Sequence, residues 1–431
     1  MLDKIKLLEY CKNCGSNDLV DVLSLNEQYL SPTFVKSNKN NPLVEIKSRL
    51  TLVLCDKRKN KKNCGLLQLK EIIEPDLLYK EYFYRTATND TMREDLRELV
   101  DQVIDIARPE KKDFIIDIGS NDCTMLNFYE NKYNLVGFEP AKNIEFLDNG
   151  KNITVINNYF NSKNFIEKFP KKKAKIITSC AMFYDLEDPV KFVKDISEIL
   201  DENGIWCCQI SYLGSMMRHN NFYDICHEHL SYYSLESFEF LIKKLKLKLF
   251  YAETNNVNGG SIRLYVCKET NKKYENKNFE KKLKSLRKEE EELKLSDLKT
   301  YHDFDKIIND IKNKTVKFVD SILKDGKTVL GLGASTKGNI ILQHFGLTKE
   351  KIPFISERNS IKVGLKCLGS DIELISEKKA RKINPEAFVV LPWNFKKEIV
   401  KRETDYLNNG GKLMFVMPYP HVVTKQGEEK L

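Results

Sequence analysis

The chain has 431 residues, beyond the size at which a single hydrophobic core keeps growing, so two or three domains are expected. Its 71 basic and 62 acidic residues give a dispersed formal charge of +9, which suits solvated surfaces and an anionic small substrate; no stretch interleaves basic and aromatic residues as a nucleic-acid module would. No run reaches the ~18 apolar residues of a membrane span and Met1-Leu2-Asp3-Lys4 lacks a signal peptide's apolar core, so a cytoplasmic protein without membrane insertion is expected, its 11 cysteines being thiols or metal ligands.

The first eighty residues read as short strands, Leu19 to Leu23, Arg49 to Leu54 and Leu66 to Leu69, parted by polar turns. Cys11-Lys12-Asn13-Cys14 has the two-residue gap of a metal knuckle, and Cys55 and Cys64 supply a second, looser pair. Four thiolates meet the tetrahedral preference of zinc; with no carboxylate or histidine beside them the site should be structural and closed. Leu96, Leu99, Val103 and Ile106 then mark a helix from Met92 to Ala107, stopped before Pro109.

From Asp113 strands and helices alternate: strand Phe114 to Ile118, a glycine turn, a helix to Tyr133, strand Leu135 to Phe138, strand Lys175 to Ser179, helix Pro189 to Leu200 and strand Gly204 to Ile210. Alternation of this kind predicts an α/β fold with a parallel sheet. The Lys/Glu-rich stretch from Lys268 to Ile311 reads as solvated helices joining two domains, and a second α/β unit opens with Val329-Leu330-Gly331-Leu332-Gly333 and runs to Met417. The plan is a zinc module over 1–80, an α/β domain over 81–268, a helical linker over 269–315 and a C-terminal Rossmann-like domain over 316–431.

Strand Phe114 to Ile118 carries Asp117 and ends in Gly119-Ser120-Asn121-Asp122; the next ends in Glu139-Pro140. Ligands of doubly wound sheets bind at such carboxyl ends, where Glu139 could accept both hydroxyls of a ribose. Only Gly119 remains of a Gly-x-Gly-x-x-Gly phosphate cradle, which argues against NAD and for an adenosine ligand without phosphate, such as S-adenosylmethionine. Gly331 to Asn339 does read as a phosphate-binding turn, with Lys337 at a helix start. Trp393 and Asn394 lie at another strand end, and Arg263 follows the flexible Gly259-Gly260 turn, placed to pair with an anion or to brace that turn.

Phe222-Tyr223-Asp224-Ile225-Cys226-His227-Glu228-His229-Leu230 gathers two of the six histidines around a carboxylate. If Cys226 to Leu230 is extended, His227 and His229 share one face and Glu228 takes the other, and one imidazole could act as a base near neutral pH.

Together these motifs, in this order and over essentially the whole chain, resemble the sugar C-methyltransferases that act on nucleotide-linked deoxysugars. The resemblance also takes in Tyr82-Phe83-Tyr84 and Leu391-Pro392-Trp393-Asn394. It implies a class I, Rossmann-type methyltransferase core between a zinc module and a C-terminal Rossmann-like domain, with the sugar nucleotide held between domains. It further implies His229 as the base beside a keto group, assisted by Glu228, His227 and Tyr84. Asp117, Gly119, Asn121, Asp122, Glu139 and Pro140 would hold S-adenosylmethionine; Tyr82, Tyr84, Tyr223, Arg263, Lys337, Asn339, Trp393 and Asn394 would face the substrate. The chain departs from the family at Cys226, where a tyrosine is common, at Cys123 (glycine), Gln209 (glutamate) and Asn258 (histidine), and in its loose second cysteine pair; with no phenol at 226, Tyr84 or Tyr223 must bind the sugar oxygen or the substrate differs. Two other readings stay open: methylation of a sugar-nucleotide hydroxyl, and a non-catalytic nucleotide-sugar-binding protein.

Overall fold

The computed structural model describes residues 5–36, 46–79, 85–147 and 150–431. Tyr82 and Tyr84 lie outside them.

Strand Phe114–Ile118 is buried throughout, because helices cover both faces of the sheet it centres. That sheet has seven strands in the order Leu247–Asn255, Ser261–Lys268, Leu200–Ser211, Ala174–Cys180, Phe114–Ile118, Asn134–Phe138 and Ile153–Ile156. Ser261–Lys268 runs antiparallel to both its neighbours and the other pairings are parallel. This is a class I methyltransferase sheet. Helix Asp90–Ala107 packs on it, capped by the Asn89 side chain at the Met92 N–H.

The second sheet contains five parallel strands in the order Lys412–Phe415, Ala387–Val390, Val329–Leu332, Phe354–Glu357 and Glu373–Ser376. The chain winds outward from Val329–Leu332 in both directions, so the strand order reverses between it and Ala387–Val390. A ligand crevice belongs there. Helix Thr336–Phe345 starts from this point, with Ser335 as its cap.

The N-terminal module touches both domains. Its strands Leu19–Tyr29, Lys47–Cys55 and Leu67–Leu69 form a sheet completed by Ser231–Tyr232 of the methyltransferase domain, and Phe34–Val35 joins the edge of the C-terminal sheet through Lys366–Cys367. Helices Lys277–Leu293 and Leu298–Lys324 form the linker; the second buries Tyr301, Phe304, Ile308 and Ile311 at helical spacing and runs unbroken across residue 315. Among the described residues no helix is long and apolar enough to cross a membrane.

Two expected elements are absent. In place of a helix reaching Tyr133 there is one short turn, Leu126–Phe128. Asn121 and Cys123 have φ of 49° and 65°, a left-handed backbone that breaks helix nucleation. Cys226 to Leu230 is not extended either: the His229 N–H donates to the Cys226 carbonyl at 3.2 Å, closing a turn. His227 and His229 therefore do not share a strand face.

Candidate active site and metal centre

The Cys11 and Cys14 knuckle turns tightly because Gly15, at φ 77°, donates its N–H to the Cys11 carbonyl at 2.8 Å. Cys55 ends its strand with an N–H bond to the Leu66 carbonyl at 2.9 Å, which returns Cys64 to the same spot. The extra residues between them form a loop in which the Asn63 amide bridges the Asp56 carbonyl (2.7 Å) and the Asp18 carboxylate (3.1 Å). All four sulfurs lie within 4.8 Å of one another, with Cys11 and Cys64 3.3 Å apart and Cys14 and Cys55 3.5 Å apart. Zinc with bonds of about 2.3 Å to four sulfurs would space them ~3.8 Å apart, so the donor set fits a closed, structural zinc ion.

A cavity of about 600 Å³ opens at the carboxyl ends of the central strands of the seven-stranded sheet, lined by Asp117, Gly119, Asn121, Glu139, Pro140 and Met182 among others. Glu139 is fixed before any ligand arrives: one oxygen accepts the Asn121 N–H at 2.9 Å and the other the Ala141 N–H at 2.8 Å. Each oxygen keeps a lone pair for a ribose hydroxyl. Burial raises the pKa of Glu139, and pushes that of Asp117 up to about 7 against the hydrogen bond it receives from Thr178 at 2.7 Å. Asp122 does not line the cavity; its carboxylate accepts the Ala87 and Thr124 N–H groups at 2.9 and 3.1 Å and so ties residues 85–89 to the turn. A cavity at the strand ends with a pre-oriented carboxylate and a single cradle glycine fits S-adenosylmethionine.

His229 is buried, and its ring stands edge-on to that of Tyr184 with centroids 4.4 Å apart. Tyr184 lies between cavity-lining Met182 and Asp185, which puts the imidazole beside the cofactor cavity. Burial, reinforced by the Lys337 charge, holds His229 well below its usual pKa, so it is neutral at pH 7. Glu228 is pushed up to about 7 by burial, with Lys337 opposing. His227 has another office. Its Nδ1 faces the Ser31 N–H and hydroxyl at 3.4 and 3.3 Å and its Nε2 the Ser48 carbonyl at 3.5 Å, so both nitrogens tie the loop to the zinc module.

The residues expected to face substrate divide into two groups. Lys337, Tyr223, Trp393 and Asn394 meet where the two α/β domains touch: Lys337 pairs with buried Asp224, the Tyr223 hydroxyl donates to Asn394 at 3.2 Å, and the Trp393 indole N–H donates to Asn221 at 3.0 Å. Asn221 in turn donates to Asp224 at 2.7 Å. Gly259 closes the group, since a Cβ there would come within 2.8 Å of the Asn221 amide nitrogen. Arg263 and Asn339 are engaged elsewhere. Arg263 is 2% exposed and gives its donors to Asp95 (2.6 Å) and Gln209 (2.7 Å), so it braces helix Asp90–Ala107 against the sheet instead of meeting an anion. Asn339 donates to the Ser31 carbonyl at 2.8 Å, a bond to the zinc module.

Tyr184, Asn221 and Asp224 were not singled out from sequence. Tyr184 follows the fourth strand's carboxyl end, a position that sheet topology marks, whereas Asn221 has no signature outside its contacts. Cys226 is fully buried, and nothing at that position offers a phenol.

A zinc-binding domain model matches residues 11–79, a methyltransferase domain model residues 89–250 and a C-methyltransferase C-terminal domain model residues 256–418. C-methyltransferase NovU of Streptomyces niveus is 26% identical over 428 residues, covering 99% of each chain. An S-adenosylmethionine-dependent methyltransferase from Clostridium acetobutylicum has a TM-score of 0.33 and 12% identity over 42% of this chain and 93% of its own. The plantazolicin methyltransferase BpumL, solved with a triazolic desmethylPZN analogue and SAH, has a TM-score of 0.32 and 13% identity over 40% of this chain and 83% of its own. Three domain matches in sequence order and the four-thiolate module make this chain an S-adenosylmethionine-dependent methyltransferase whose domain plan is similar to that of the C-methyltransferases.

Proposed function

We propose that the acceptor is a nucleotide-linked keto sugar and that His229 removes a proton from the carbon beside its keto group. The observation that carries this reading is the position of His229, buried with its ring against Tyr184 beside the cofactor cavity and kept neutral by burial and by the charge of Lys337. A C–H next to a carbonyl is acidic enough for an imidazole to take, and proximity does the rest. Glu228, with its pKa near 7, carries a proton part of the time and can donate it as a hydrogen bond to the oxygen on which charge develops. Bound S-adenosylmethionine supplies the electrophilic methyl group. The NovU likeness supports transfer to carbon over transfer to a hydroxyl.

The test is mass spectrometry of reactions with keto sugar nucleotides in deuterium oxide. The wild type should exchange the carbon-bound proton with solvent and methylate the same carbon. His229→Asn should lose both, with turnover down by ~10²–10⁴ and both ligands still bound. Near-normal turnover would move the base elsewhere, and a methyl group on oxygen without carbon exchange would replace the reading by O-methylation.

A further inference from the structure

The two residues between the first pair of thiols, Lys12 and Asn13, are 5% and 2% exposed, although both are polar and neither is a thiol. Asn13 is spent on the Ser237 carbonyl, to which its amide donates at 3.0 Å. Lys12 starts from a fixed point: its N–H is received by the Gln68 side chain at 3.0 Å, and Gln68 in turn donates to the Tyr10 carbonyl at 3.0 Å. From there the side chain crosses to the methyltransferase domain. Its amine donates to the Leu186 carbonyl, and the charges of Glu187, Asp185 and Asp188 favour the ammonium that burial disfavours. Lysine is almost never buried without such compensation, so the zinc module extends a cation into the neighbouring domain at one defined place.

That place is a wall of the cofactor cavity. Ala181, Met182, Asp185, Leu186 and Glu187 line it, and Tyr184, among them in sequence, carries the ring against which His229 packs. The segment does not owe its shape to local preference. Ala181 has a φ of 54°, a left-handed backbone that a residue with a side chain keeps only when its surroundings impose it. At one end the Ala181 N–H is received by the Gln209 carbonyl at 2.9 Å, and at the other the Asp188 side chain caps helix Pro189–Ile199; Lys12 grips the stretch between. We propose that Lys12 is a positioning residue for the cofactor site: carried on the zinc knuckle, its ammonium fixes residues 181–187 in the shape that takes S-adenosylmethionine. Without it the Leu186 carbonyl loses a charged donor and three carboxylates lose the cation beside them, so the wall relaxes and must be reordered when the cofactor binds.

Calorimetric titration of the full chain with S-adenosylmethionine, alongside metal analysis and hydrogen exchange, tests the proposal. Lys12→Met keeps the apolar stem and removes the ammonium; it should retain its zinc, bind S-adenosylmethionine ~10-fold or more weakly, and exchange faster in residues 181–187 while strand Ser261–Lys268 is unchanged. Lys12→Arg restores a cationic donor and should recover most of the affinity. A role in stability alone would lower the denaturation midpoint of Lys12→Met and leave its affinity at that of the wild type, which overturns the assignment. So does a Lys12→Arg that keeps zinc and binds no better than Lys12→Met, because the charge is then not what holds the wall. Should Lys12→Met come out without zinc, Lys12→Gln, uncharged and one atom shorter, takes its place with the same loss of affinity expected; loss of zinc from both would make Lys12 a part of the metal module only.

Discussion

Glu139 shows how much a single carboxylate can do when the backbone has fixed it beforehand. Its two N–H partners cancel part of the burial cost that would otherwise favour the neutral acid. If Glu139 accepts both ribose hydroxyls, Glu139→Ala should lower S-adenosylmethionine affinity by on the order of tenfold or more, equivalent to ~1.5–3 kcal/mol. Unchanged affinity by calorimetry would mean that the second strand end does not face the cofactor. Residues of this kind were legible in the sequence because a carboxylate at the end of an apolar strand has a position fixed by topology alone. Arg263 was not, since only the fold shows that Asp95, a helix residue far away in sequence, consumes its charge. Gln209 accepts from Arg263 and donates to Asp95 at once, which an ionised glutamate could not.

The loop from Asp224 to Leu230 shows where periodicity misleads. Alternating His-Glu-His suggests a strand only if the segment is paired along its length, and here the pairing begins at Ser231. What shapes the turn is tertiary: His227 is anchored to Ser31 and Ser48, residues nearly two hundred positions earlier. Burial lowers the pKa of His227 from 6.5 to about 4, so between those values the unfolded chain binds a proton that the folded chain refuses. Stability from this group is therefore full above about pH 6.5 and lost as pH falls toward 4, by about 3 kcal/mol. Glu228, with its pKa raised to about 7, slopes the opposite way, so the comparison must be with a variant lacking only the imidazole. Denaturation midpoints of wild type and His227→Gln, measured from pH 7 to 4, should converge on acidification by about that amount; parallel curves would show that His227 is not the strut inferred here.

At the scale of the whole molecule, the zinc module looks like a separable appendage in sequence and is a clamp in the structure. Nothing in residues 1–80 announces that their sheet will be finished by Ser231–Tyr232, two residues beyond His229. The knuckle itself reaches across: the Asn13 amide donates to the Ser237 carbonyl at 3.0 Å, the Lys12 amine donates to the Leu186 carbonyl beside Tyr184, and the Lys12 N–H is received by Gln68 at 3.0 Å on the strand that pairs with Ser231. Holding four thiolates together thus holds the turn that carries His227, Glu228 and His229 against the methyltransferase domain. One equivalent of zinc is expected in the purified protein and should be lost in Cys11→Ser, since a closed tetrahedral site needs all four thiolates. Hydrogen exchange carries the argument to the site. Stripping the metal with a chelator should speed exchange in residues 226–233 as well as in the module, while strand Ser261–Lys268, paired on both sides within the seven-stranded sheet, keeps its protection. If residues 226–233 stay as protected without metal as with it, the methyltransferase domain holds this turn by itself and the module serves some other end.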